Sequence, residues 1–110
     1  MHELGVVTEV VEIIREKTND ARIARLSLEI GRLSTILPDA VRFAFDVATE
    51  GTPLEGAELQ IIEVDGTARC RACNSVVTLT RPLGRCDCGG IDLEWLTGTS
   101  VRILSLEEVR

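Results

Sequence analysis

The chain has 110 residues, 45% of them hydrophobic and 27% charged, with a formal net charge of −6. That length and composition describe a soluble globular domain with room for a small appendage. They exclude a bilayer span, because no apolar run approaches about 18 residues, and they argue against nucleic acid, whose phosphates an acidic chain with three aromatic side chains in all neither attracts nor stacks on.

The N-terminus has no basic stretch ahead of an apolar core, so no signal peptide is expected and the cytoplasm is the expected compartment. The first predicted element is a helix over residues 4–17, where Val7, Val10, Val11 and Ile14 recur at helical spacing among Glu9, Glu12 and Glu16. Asn19-Asp20 breaks it. Residues 22–30 read as a strand, with Ala24, Leu26, Leu28 and Ile30 alternating with Arg25, Ser27 and Glu29. Pro38 suits the first turn of a second helix and Gly51 its end, with Leu37, Val41, Ala44, Phe45 and Ala48 as the apolar face. Residues 57–64 and 100–107 read as two more strands. In the first of these, Ile62 and Val64 beside Ala57, Leu59 and Ile61 suggest a bulge or burial on both faces.

Between those strands the composition changes. Residues 67–98 hold all four cysteines and four arginines (Arg69, Arg71, Arg81, Arg85) but little that could form a core. Val76-Val77-Thr78-Leu79 and Ile91-Asp92-Leu93-Glu94-Trp95 read as short strands. A segment of this size does not normally bury enough surface to fold alone, and a metal commonly makes up the deficit. The expected fold is therefore α+β: two helices packed on a small mixed three-stranded sheet, with an inserted zinc-ribbon-like module. Its boundaries are expected at 1–66 plus 99–110 for the body and 67–98 for the module.

Cys70-Arg71-Ala72-Cys73 is a C-x₂-C knuckle, and Cys86-Asp87-Cys88 follows after a short hairpin. Two turns that each offer two thiolates build the tetrahedral shell of Zn²⁺. In a reducing compartment this arrangement reads as a metal site before it reads as disulfides. Four thiolates fill the coordination sphere and leave no position for water, so the zinc is expected to be structural. Zinc ribbons usually place two residues within each pair, and the single Asp87 tightens the second turn.

The one histidine is His2. A large second residue is expected to leave Met1 in place with its free amine. From Met1-His2-Glu3 one ion could then collect the terminal amine, the His2 amide and ring nitrogens, and the Glu3 amide or carboxylate. Nitrogen and oxygen donors in a plane suit Ni²⁺ or Cu²⁺. The amides at a helix start lack intrahelical partners and are free to bind. The alternative is a solvated terminal histidine with no metal. With the sole histidine at residue 2, no Ser-His-Asp or Cys-His constellation can assemble in the body, and Glu107-Glu108 would point to opposite faces of a strand. No catalytic residue is expected and the chain does not read as an enzyme.

Met1-His2-Glu3 opening an amphipathic helix, the strand end Leu28 to Gly31, Phe43-Ala44-Phe45-Asp46, Glu55-Gly56-Ala57 and the inserted cysteine pairs together resemble the HypA/HybF family of hydrogenase nickel-incorporation proteins. The resemblance covers essentially the whole chain. It implies a nickel metallochaperone for hydrogenase and, in some organisms, urease. It implies nickel at Met1, His2 and Glu3, with His2 indispensable, and zinc at Cys70, Cys73, Cys86 and Cys88. The partners it implies are a HypB-type GTPase and a client such as the hydrogenase large subunit; the chain itself is expected to be a monomer or weak homodimer. The departure from the family pattern is the shortened Cys86-Asp87-Cys88 pair. The competing reading is a zinc-ribbon scaffold that binds other proteins without moving nickel.

Overall fold

The computed structural model describes residues 2–110, and the chain packs as two compact units. The elements in order are α1 (His2–Thr18), β1 (Ile23–Gly31), α2 (Pro38–Ala48), β2 (Glu58–Val64), β3 (Gly66–Cys70), β4 (Val76–Leu79), β5 (Leu93–Thr97) and β6 (Val101–Glu108). They make an α+β fold of two helices and two three-stranded sheets, one in the order β2-β1-β6 and the other β4-β3-β5.

The first unit comprises residues 1–28, 36–61 and 103–110. Here α1 and α2 pack on each other. The predicted stripe Val7, Val10, Val11 and Ile14 is buried, as are Val41, Ala44 and Phe45 of α2 and Leu26 and Leu28 of β1. Each of these except Ala44 contributes about 1.5–3 kcal/mol by leaving water. The opposite face of the sheet is polar. Arg25 reaches Glu58 and, at 3.7 Å, Glu107, and Ser27 Oγ donates to Gln60 Oε1 at 2.9 Å. Pro38 begins α2 with Leu37 as its N-cap, and the backbone N–H of Thr49 closes the far end on Phe45 O.

Several expected details differ. Helix α1 begins at His2 rather than Leu4, with the Glu3 carboxylate held in its first turn by Leu37 N. Ala24 is exposed, and Ile23 takes the buried place at the start of β1, where its N–H donates to Pro53 O at 3.0 Å. Leu37 is exposed, because as N-cap it is extended (φ −91°, ψ 124°) and leaves the helical stripe. Ile62 is exposed as well, so β2 is not buried on both faces.

The second unit comprises residues 29–35 and 62–102. Its sheet has β3 at the centre, antiparallel to both neighbours, with a register shift against β5 between Thr67 and Ala68. Residues 29–35 join this unit for a physical reason. Leu33 is 1% exposed and shares a buried cluster with Ala68 and Leu79, while Leu33 N donates to Gly98 O and Arg32 N to Val64 O, both at 2.9 Å. That cluster of three buried side chains is small for the whole of residues 29–35 and 62–102, too small to hold them on apolar burial alone.

The close approach of backbones replaces part of that missing core. Gly98 has φ +80°, and a Cβ there would lie 2.5 Å from the Gly66 Cα. Both the dihedral and the contact demand glycine. Gly98→Ala should cost about 2 kcal/mol or more and lower the melting temperature of the zinc-loaded protein by roughly 10 °C. Gly5→Ala meets nothing within 4 Å inside α1 and should shift it slightly upward. Differential scanning calorimetry of the two variants checks both signs.

Candidate metal centres

The chain brings four sulfurs to one point. Cys70 ends β3, Cys73 closes the turn into β4, and Cys86 and Cys88 lie in the β4–β5 connection. Their Sγ atoms all lie within 4.8 Å of one another. Cys70 Sγ is 3.7 Å from Cys88 Sγ, and Cys73 Sγ is 3.6 Å from Cys86 Sγ. A tetrahedron with Zn–S bonds of about 2.3 Å has edges of about 3.8 Å. The four residues therefore fit a tetrathiolate zinc. All four are free cysteines.

Both turns are built from backbone bonds. Cys70 N donates to Ser75 O at 2.9 Å and Asn74 N to Cys70 O at 2.8 Å, with Asn74 in the left-handed region at φ 64°. In the second turn Cys86 N donates to Gly90 O at 3.0 Å and Gly89 N to Cys86 O at 2.9 Å. The shortened pair still turns, because Gly89 takes φ +92° immediately after Cys88. Gly90 N then approaches Cys88 Sγ at 3.4 Å. A Cβ on Gly90 would stand 2.8 Å from Cys70 Sγ and 3.3 Å from Cys88 Sγ. Gly90 is therefore the residue that lets this turn lie against the sulfur cluster.

The thiols divide in their acidity. Hydrogen bonding from the Ser75 side chain and amide holds Cys73 down to about 6. At Cys88 the Gly90 amide favours the thiolate, but neighbouring Cys73, Cys70 and Cys86 outweigh it and push the thiol up to about 12. At Cys86 the Cys88 amide lowers and burial with Cys73 raises, for a net rise. Four thiols this close cannot all ionise beside one another. A dication in their midst removes that conflict and releases protons.

The second candidate centre is the start of α1. The His2 side chain is 60% exposed, and its Nε2 lies 3.4 Å from Glu3 Oε2. Glu3 itself is buried, and its carboxylate also accepts from Leu37 N at 3.4 Å. A hydrogen bond from its own amide, then those from Leu37 and the charge of His2, hold its carboxyl below the usual glutamate range despite burial. Met1 lies outside the described residues. The structure thus brings together His2 and Glu3, and separately Cys70, Cys73, Cys86 and Cys88. Sequence reasoning missed Leu37 and Ser75. The close approach of backbone to sulfur at Gly90 is legible from the two glycines that follow the second cysteine pair.

The chain matches over residues 1–108 the family model described as "Hydrogenase/urease nickel incorporation, metallochaperone, hypA". It is 45% identical over 107 residues to a hydrogenase maturation factor HypA of Trichormus variabilis, spanning 97% of this chain and 95% of that one. It is 38% identical over 110 residues to the HypA of Geotalea daltonii, spanning 99% of this chain and 100% of that one. Among solved structures it resembles the nickel metallochaperone HypA of Helicobacter pylori, at 26% identity and a TM-score of 0.69, with 97% of each chain covered.

Because Gly90 is the contact between turn and sulfurs, Gly90→Ala should weaken zinc binding by about tenfold or more. Competition with a chromophoric chelator measures it. An unchanged affinity would show that the second turn yields without disturbing the sulfurs.

Proposed function

The chain belongs to the HypA family of hydrogenase/urease nickel-incorporation metallochaperones, and we propose that it binds Ni²⁺ through Met1, His2 and Glu3 and delivers it to a maturing nickel–iron hydrogenase, or to urease where that enzyme is the client. In this reading the cysteines hold zinc, which staples the second unit and serves no catalytic purpose. The partners are a HypB-type GTPase and the client's nickel-receiving subunit.

The observation that carries the reading is the state of His2. It is an exposed imidazole in the first turn of a helix, where the leading amides have no main-chain acceptors within the helix and the Glu3 amide turns to its own carboxylate. An ordinary helix start offers the amides without the ring; an ordinary surface histidine offers the ring without the amides. Here a six-membered chelate can form from the His2 Nδ1 and the amide nitrogen of the same residue. Nitrogen donors in a plane favour Ni²⁺ or Cu²⁺ over Zn²⁺. Glu3 supports the arrangement: its carboxylate, tied to Leu37, holds the His2 ring near the chain start while remaining ionised.

Transfer needs a site that opens. A terminus can give up its ligands one at a time to a deeper site, whereas a closed four-ligand cage cannot. No helix among the described residues is long and apolar enough to cross a membrane.

The test is calorimetric titration of Ni²⁺ into untagged, zinc-loaded protein. His2→Ala should lose about 1.4 kcal/mol of binding or more, which is tenfold. An added N-terminal residue should be nearly as damaging, since it removes the terminal amine. An unchanged affinity in His2→Ala would end the nickel assignment and favour a zinc-ribbon scaffold.

The pH dependence follows from the same donors. Amine and imidazole bind only when deprotonated, so affinity should fall steeply in mild acid. Glu3 keeps its charge there, because its pKa is lowered. The acid loss should therefore persist in Glu3→Gln and be shallower in His2→Ala, where the terminal amine alone still takes up a proton.

A further inference from the structure

Neither nickel at the N-terminus nor a tetrathiolate zinc explains why the second cysteine pair, Cys86-Asp87-Cys88, is one residue short. Its place in the sulfur cluster gives the shortening a use. The four cysteines divide by exposure: Cys70 and Cys86 are buried, at 0% and 4% exposed, whereas Cys73 and Cys88 are open to solvent. Each open residue lies against a buried one from the other turn. Cys73 Sγ is 3.6 Å from Cys86 Sγ, and Cys88 Sγ is 3.7 Å from Cys70 Sγ. An accessible sulfur with a second cysteine poised beside it is the arrangement of a redox-sensing pair. Bound metal keeps coordinating sulfurs as thiolates, the form that oxidants attack.

The short pair also decides which bonds can form. A disulfide within Cys86-Asp87-Cys88 closes the tightest ring open to the four sulfurs and carries the most strain. With that bond disfavoured, Cys86 and Cys88 must both pair with the first turn. The distances select Cys73 with Cys86 and Cys70 with Cys88. The first bond is nested within the second, at separations of 13 and 18 residues, so both fit at once. They join the same two turns that a zinc ion joins.

We propose that the cysteine cluster is a site of reversible oxidation by hydroperoxides, in which two disulfides between the turns take the place of zinc. This rests on the cysteines holding zinc and is independent of nickel at the N-terminus. The Cys73 thiolate attacks hydrogen peroxide: an S–O bond forms, the O–O bond breaks and hydroxide leaves. The Cys86 thiolate then attacks the Cys73 sulfenic acid: the S–S bond forms, the S–O bond breaks and a second hydroxide leaves. The peroxide gains the two electrons that the sulfurs lose, and two protons from solvent convert the hydroxides to water. Cys88 and Cys70 repeat the sequence with a second peroxide. Each thiolate consumed removes one ligand, so Zn²⁺ is released. Cross-links spanning loops of this length keep the unit closed. A dithiol returns the four thiolates by exchange, and zinc rebinds.

The test adds hydrogen peroxide to untagged, zinc-loaded protein, with a chromophoric chelator reading free zinc. About two peroxides should be consumed per zinc released. The product should be lighter than the reduced, metal-free chain by four hydrogens. Cleavage after Arg69, Arg71 and Arg85 and ahead of Asp87 puts each cysteine on its own peptide, and mass spectrometry should then find Cys73 bonded to Cys86 and Cys70 to Cys88. Circular dichroism should retain the strand signal, and dithiothreitol with zinc should restore the starting state. Inserting one glycine after Asp87 relieves the tight ring and should divert part of the oxidation to bonds within each pair. A chain that holds no zinc before peroxide overturns the metal reading and this proposal with it. Zinc present but retained after peroxide overturns the proposal alone. So do bonds within the pairs of the unaltered chain, sulfinic acids in place of disulfides, or oxygen gained at Met1 while the cysteines stay reduced. Unchanged pairing in the insertion variant overturns the role assigned to the short pair.

Discussion

Four sulfurs within 4.8 Å of one another set the terms for the whole second unit. Without a cation, such a cluster is a site of mutual repulsion among thiolates or of poorly bonded thiols. Cys73 is drawn toward ionisation while Cys86 and Cys88 are driven from it. The surrounding chain is arranged to bring the sulfurs together regardless: β3 ends on Cys70, Asn74 adopts a left-handed turn, and Gly89 and Gly90 let the second loop close against the first. The apolar cluster of Leu33, Ala68 and Leu79 is too small to enforce that geometry alone. Metal binding free energy here is folding free energy.

The first unit obeys a different constraint. It has a core of ordinary size, with Val7, Val11, Ile14, Leu26 and Val41 each no more than 2% exposed, and needs no metal to fold. What it leaves unresolved is the end of α1. A helix start must satisfy its leading N–H groups or leave them to something else. Glu3 spends its carboxylate partly on Leu37 of the α2 entry. That bond ties the start of one helix to the start of the other and leaves the His2 ring outside, exposed.

Much of this was legible in the sequence, because period and spacing are local. The buried stripe of α1, the entry of α2 at Pro38, the short strand at Val76–Leu79 and the convergence of four cysteines follow from neighbours a few residues apart. The errors are where a distant residue decides. Ala24 alternates correctly with Leu26, but Ile23 takes the buried place through a bond to Pro53. Leu37 suits the stripe of α2, but a capping position with extended backbone turns it outward. Residues 29–35 look like the tail of a strand in the body. They belong to the second unit because Leu33 fills its core. Glu3 and Leu37 are 34 residues apart, and no pattern in the sequence links them.

The division of ligand types has a consequence for a nickel carrier. Thiolates bind late first-row ions avidly, and four converging thiolates left empty would compete with an amine and an imidazole for the same Ni²⁺. Zinc in the cysteine cluster closes its coordination sphere and withdraws those sulfurs from the competition. Under the proposed function, the zinc therefore does more than staple a small unit. It leaves the hard, exposed and pH-sensitive donors of the N-terminus as the accessible place for cargo. A site able to surrender its ligands singly can remain the weaker binder only because the stronger one is already filled.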